Sequence, residues 1–102
     1  MTAYSVGYAT PRVADDFARY LARIDRTTAT RIRDAVEALT DAPRPPGKKF
    51  KFLKPPVAVF QFVAQYRLRV GDHRILYDVD DAARRVVLLA IRLRGERTYR
   101  GA

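Results

Sequence analysis

A chain of 102 residues with 48% hydrophobic side chains holds enough material for one packed domain, residues 1–102, and too little for two. It has no cysteine and one histidine, which excludes a disulfide scaffold and a cysteine-based zinc site and argues against any metal centre or metal cofactor. Twenty Lys and Arg against eleven Asp and Glu leave a formal charge of +9, which suits a polyanionic partner, nucleic acid first.

No signal peptide is visible, and no apolar run approaches the ~20 residues of a membrane span, so a soluble cytoplasmic protein is expected. Tyr4 to Tyr8 alternates as a short first strand. Thr10 before Pro11 is a helix start, with Thr as N-cap and Pro at the first helical position. Val13, Phe17, Tyr20, Leu21 and Ile24 recur at helical spacing. A break near Asp25-Arg26 leads to Thr27 or Thr28 as the next cap, and Ile32, Ala35, Val36 and Leu39 form the second stripe. The two helices read as an antiparallel hairpin.

The proline-rich stretch Asp41 to Gly47 ends the second helix. Lys48 to Lys54 is basic with interleaved aromatics. It reads as a loop that tucks Phe50, Phe52 or Leu53 into the core while its lysines stay wet; contact with RNA backbone and bases is the competing reading. Pro55-Pro56 restarts the chain. Val57 to Gln65 extends the strand that reaches Tyr66, with a bulge or loop near Ala64-Gln65.

Tyr66 to Asp78 reads as two alternating strands joined by Gly71-Asp72, with Gly at the first central position of a type II′ turn. That register sets Val70 opposite His73, Arg69 opposite Arg74, Leu68 opposite Ile75 and Arg67 opposite Leu76. One face then carries Tyr66, Leu68, Val70, Ile75, Tyr77 and Val79; the other carries Arg67, Arg69 and Arg74. Directly opposed like charges are destabilising, so this face is built to receive an anion. Asp80 to Ala83 makes the next turn. Arg85 to Ile91 is a nearly continuous apolar strand covered on both faces. The order β-α-α-β-β-β predicts an α+β domain: a two-helix hairpin packed on one face of a curved, mostly antiparallel four-stranded sheet.

The chemistry gathers on Arg67, Arg69, Arg74, Arg94 and Tyr99, with Lys48, Lys49, Lys51 and Lys54 nearby. Arg92 and Arg94 share one face of the last strand by parity, and its end is expected to bring Arg94 and Tyr99 beside Arg74. Converging guanidinium groups bind a phosphodiester and offset the charge of its transition state. A Tyr99 ringed by cations has its phenolate favoured and becomes a base for a ribose 2′-hydroxyl, with Glu96 as the alternative. His73 falls on the opposite face by parity and is expected to be structural.

The run Tyr66-Arg-Leu-Arg-Val-Gly-Asp-His-Arg-Ile-Leu-Tyr-Asp78 resembles the core of the RelE/ParE superfamily of bacterial toxins from type II toxin–antitoxin systems. The early strand, the helical hairpin ending in Leu39 to Pro43, the Lys51-Phe52-Leu53 element and the Arg94 to Tyr99 tail follow in family order. The resemblance implies a toxin held inactive by a cognate antitoxin protein. In the RelE branch it implies a metal-independent endoribonuclease that cuts mRNA on the ribosome. By resemblance Arg67 and Arg69 take the positions of strand lysines that bind RNA phosphate; Lys49, Lys51 and Lys54, read from the basic stretch itself, are the further candidates for binding it. Arg74 stabilises the transition state, Arg94 (or Arg97) stands near the leaving group, and Tyr99 is the terminal tyrosine. The alternative is a ParE-like toxin that blocks DNA gyrase and cleaves nothing. The segment Pro55 to Gln65 is longer than the usual family linker.

Overall fold

Thr10 and Pro11 start the first helix as the sequence predicts. In the computed structural model, which describes residues 3–95, the Thr10 hydroxyl accepts the Val13 N–H at 3.2 Å. The elements are β1 (Ser5–Tyr8), α1 (Pro11–Arg23), α2 (Arg26–Ala38), β2 (Phe50–Val59), β3 (Phe62–Val70), β4 (His73–Asp80) and β5 (Arg85–Leu93). Asp25, not Thr27 or Thr28, caps α2: its carboxylate accepts the Thr28 N–H at 2.9 Å. That bond holds the Asp25 carboxyl below the usual carboxylate range.

The sheet has five strands in the order β1-β5-β4-β3-β2. β1 runs parallel to β5, and the remaining pairs are antiparallel. The expected fold class holds, with one strand more than expected. The extra strand is β2, which absorbs both the basic stretch read as a loop and Pro55-Pro56. Proline is tolerated there because β2 lies at the edge of the sheet, where a missing N–H need not break a ladder. The ladder to β3 shifts register between Phe52 and Val57. The reversal into β3 falls at Phe60-Gln61, with Phe60 at φ +57°, rather than near Ala64-Gln65.

The central hairpin has the expected register, from Val70 opposite His73 to Tyr66 opposite Tyr77. Gly71 takes φ +58°, the left-handed value its turn position requires. The face bearing Leu68, Val70, Ile75 and Tyr77 packs with Val86 and Leu88 against Val13 and Phe17 of α1, Ile32 of α2, and Leu39 just beyond it. A second cluster occupies the opposite face. β3 pairs with β4 only from Tyr66 onward. Before that point the β2–β3 arm packs Leu53, Val57, Val59 and Ala64 against Leu76, Leu89 and Ala90. Its tip reaches α1, where the Arg12 guanidinium lies 5.4 Å from the Phe60 ring.

The connection from α2 to β2 is fastened to the sheet by polar contacts. The Tyr77 hydroxyl donates to the Pro43 carbonyl at 2.7 Å, and burial pushes that phenol above its ordinary pKa. Arg44 forks onto Asp81 at 3.2 and 2.8 Å, donates to the Tyr66 hydroxyl at 3.0 Å and covers the Tyr66 ring at 5.1 Å. The Tyr4 hydroxyl also donates to Asp81, at 2.7 Å. These bonds hold the Asp81 carboxyl below the usual range, with Arg44 the larger cause.

Because the folded-state pKa of Asp81 lies below its unfolded value, its contribution is present above the unfolded carboxylate pKa and is lost as pH falls through the folded one. Asp81→Asn should therefore destabilise the protein at neutral pH and leave a shallower acid limb in a plot of melting temperature against pH. Leu76→Ala opens space in the second cluster and should cost about 2–4 kcal/mol by urea denaturation, despite lying on the face that carries the arginines.

Candidate nucleic-acid interface

Strand register assembles the site. Arg69 stands opposite Arg74, and Arg74 stands opposite Arg92. On the other side the Arg69 N–H donates to the Lys49 carbonyl at 2.8 Å, which places Lys49 beside Arg69. Lys49, Arg69, Arg74 and Arg92 thus form one row across β3, β4 and β5 and the residue preceding β2. The next row on the same face begins Lys51, Arg67, Leu76, so the basic surface ends where the second apolar cluster begins.

The arginines of this surface are half-buried, while Lys49 and Lys51 are exposed. Arg67 Nη2 makes only long bonds to the carbonyls of Lys48 and Lys49, at 3.5 and 3.4 Å. Its Nε is buried and, among the described residues, finds no acceptor. Arg92 Nη1 donates to the Ile91 carbonyl at 3.0 Å. Planar guanidinium forks gathered on one face suit a bidentate oxyanion such as phosphate.

Arg92 takes the place beside Arg74 that the sequence assigned to Arg94. Arg94 lies past the end of β5, exposed, with its N–H donating to the Asp72 carbonyl at 2.7 Å, which sets it beside the β3–β4 turn at the margin of the row. Tyr99, Glu96 and Arg97 lie outside the described residues. Lys54 departs from Lys49 and Lys51: its ammonium sits 5.9 Å from the Phe52 ring, on the alternate face of β2. Lys48 is exposed just ahead of β2. His73 faces the helices as parity predicts, sharing a 2.7 Å hydrogen bond with the Tyr20 hydroxyl.

The register shift between β4 and β5 is what brings Arg92 into line with Arg74. Counting back from Asp80 opposite Arg85 without a shift puts Ile91 opposite Arg74. The irregularity at Leu76/Tyr77 adds one residue on β5 and delivers Arg92 instead. Bulges re-aim side chains in this way, and a residue sequence gives no direct count of them.

Among the described residues no cluster of three His, Cys, Asp or Glu side chains offers a metal site, and no helix is long and apolar enough to cross a membrane. Away from the basic face, a groove of about 380 Å³ opens between β1, α1 and α2, lined by Val6, Tyr8, Phe17, Leu21, Ile32 and Val36 together with charged Arg33 and Glu37.

Comparison with known proteins gives a family and a fold. The model of the ParE toxin of type II toxin–antitoxin systems matches residues 9–98. No curated protein sequence matches. Among solved structures, the chain is similar to the archaeal RelE–RelB complex from Pyrococcus horikoshii, with 24% identity over 94% of this chain and 99% of that one and a TM-score of 0.69. It is similar to a RelBE toxin–antitoxin complex from Mycobacterium tuberculosis, with 20% identity over 90% of this chain and 99% of that one and a TM-score of 0.58. It is also similar to Escherichia coli RelE carrying two arginine-to-alanine substitutions in the free state, with 18% identity over 98% and 94% of the two chains and a TM-score of 0.58. At these identities the likeness carries the fold.

The repulsion within the row has a measurable consequence. Arg69→Thr should stabilise the protein by roughly 0.2–1 kcal/mol at low salt. The gain should shrink as salt rises towards about 1 M, where screening shortens the reach of each charge to about 3 Å; melting curves at the two salt concentrations check it.

Proposed function

The chain belongs to the ParE toxin family of type II toxin–antitoxin systems, and from its basic face we propose that it is an endoribonuclease that cuts messenger RNA on the ribosome and so stops translation. The observation that supports this reading is the in-register row of Lys49, Arg69, Arg74 and Arg92, continued by Lys51 and Arg67. Such a row matches the spaced negative charges of a single RNA strand better than a protein surface.

In this reading Arg67, Arg69 and the lysines hold the RNA backbone. Arg74 donates to the scissile phosphate and offsets the extra charge of its pentacovalent transition state. Tyr99, or Glu96 in its place, takes the proton of the 2′-hydroxyl. The 2′-oxygen bonds to the adjacent phosphorus as the bond to the 5′-oxygen breaks, with Arg94 or Arg97 beside the departing oxygen. The products are a cyclic phosphate and, once the departing oxygen is protonated, a 5′-hydroxyl. No step calls for a metal.

A cognate antitoxin is the proposed regulator, supported by two similar structures that are toxin–antitoxin complexes. Its apolar segment would lie in the groove between β1 and the helices, and its acidic residues would offset the toxin's charge. The match to a ParE family model favours a second reading, a toxin that binds and inhibits DNA gyrase without cutting RNA.

Brief expression followed by 5′-end mapping of ribosome-bound transcripts separates the two. The nuclease reading expects new 5′-hydroxyl ends. It expects Arg74→Ala and Tyr99→Phe to lower cleavage by about a hundredfold or more while the fold is retained. Intact transcripts together with blocked supercoiling by purified gyrase would establish the second reading.

A further inference from the structure

An aromatic ledge projects from the open edge of the sheet. Phe52, on edge strand β2, is 50% exposed despite its size. It is braced by Phe50, ring centroids 5.3 Å apart in an edge-on arrangement, and by Tyr66 at 5.4 Å. Tyr66 in turn stacks on Phe50 at 5.7 Å and lies under the Arg44 guanidinium. Of the apolar residues expected to tuck inward from this stretch, Leu53 does so, Phe50 is half-buried and Phe52 stays out.

We propose that the Phe52 ledge is a stacking subsite for a nucleobase of single-stranded RNA. The proposal rests on the nuclease reading for its ligand class and adds a place where a base, rather than a phosphate, is held. A half-exposed phenyl ring locked by two neighbouring rings offers a flat face with little side-chain freedom left to lose, which is what stacking requires. Lys54, whose ammonium lies 5.9 Å from that ring's centroid, swings aside for the base and is then placed to meet the neighbouring phosphate.

Position favours RNA over a protein partner. Lys51 and Phe52 are consecutive in β2 and therefore point to opposite faces. Lys51 and its cross-strand neighbour Arg67 belong to the basic surface, whereas Phe52 pairs with Tyr66 on the other side. β2 is the outermost strand, so a single strand of RNA passing round that edge keeps its phosphates on Lys49, Lys51 and Arg67 and turns one base onto Phe52.

The test uses the full chain and a short single-stranded RNA carrying one 2-aminopurine, whose fluorescence falls when the base stacks. Quenching on binding is expected for the wild type. Phe52→Leu, which keeps an apolar side chain but removes the ring, should lose the quenching and bind roughly tenfold more weakly, with the salt dependence of binding unchanged. Phe52→Tyr should retain both properties and guards against a mere folding defect. Lys51→Ala should do the reverse of Phe52→Leu, lowering the salt slope by about one while quenching persists.

Equal affinity and equal quenching in Phe52→Leu would overturn the proposal. So would the same loss of affinity for an RNA with abasic sites, no binding of single-stranded RNA by the wild type, or a Phe52→Leu variant that binds RNA normally but loses an acidic protein partner. Normal stacking without any cleavage on ribosomes would support the subsite while removing the nuclease reading, so the two fail separately.

Discussion

The register of the β3–β4 hairpin governs the rest of the molecule. Its two-residue turn leaves one alignment of the strands, and a slip by one residue would turn Leu68, Ile75 and Tyr77 out to solvent and the arginines into the core. Burial of that apolar face against the helices makes the slip prohibitive. The hydrophobic core thereby also forces Arg69 and Arg74 together on the far side. The unfavourable contact between them is carried by the packing behind it and leaves the basic surface short of negative charge.

Two irregularities shape that surface further. The bulge on β5 brings Arg92 into line with Arg74, extending the row by one strand. The β2–β3 arm covers the adjoining part of the same face and buries Leu76, Leu89 and Ala90, residues a simple two-layer fold would leave wet. The basic strip is consequently bounded by an apolar wall on one side and by the β3–β4 turn with Arg94 on the other. A face polar along its whole length would not confine a ligand in this way.

Much of this was legible from residue types. The Thr10-Pro11 start, the alternation from Tyr66 to Asp78 and the turn at Gly71 each have a local physical cause, and each appears where its residues predict. The features that escaped have causes the sequence does not display. Asp25 caps α2 because its carboxylate reaches the Thr28 N–H, leaving the threonines inside the helix. The reversal at Phe60 carries none of the usual turn residues; the Phe60 ring meets the Arg12 guanidinium, and the flanking Val59 and Phe62 pack in the second cluster. Pro55 and Pro56 read as a break because proline opposes central strands, yet an edge strand admits them. Arg92 was visible as a residue but not as Arg74's neighbour, since that depends on an unseen bulge.

The parallel pairing of β1 with β5 makes the first and last strands of the sheet sequence neighbours in space, with every other element between them along the chain. The row of cations likewise draws its final member, Arg92, from β5. During synthesis the chain therefore lacks both its closing strand and its full charge cluster until β5 has left the exit tunnel, and long-range closure of this kind is the slower part of folding. Until then a nascent chain presents an incomplete version of the surface, so the order of assembly itself sets when the molecule can engage a polyanion.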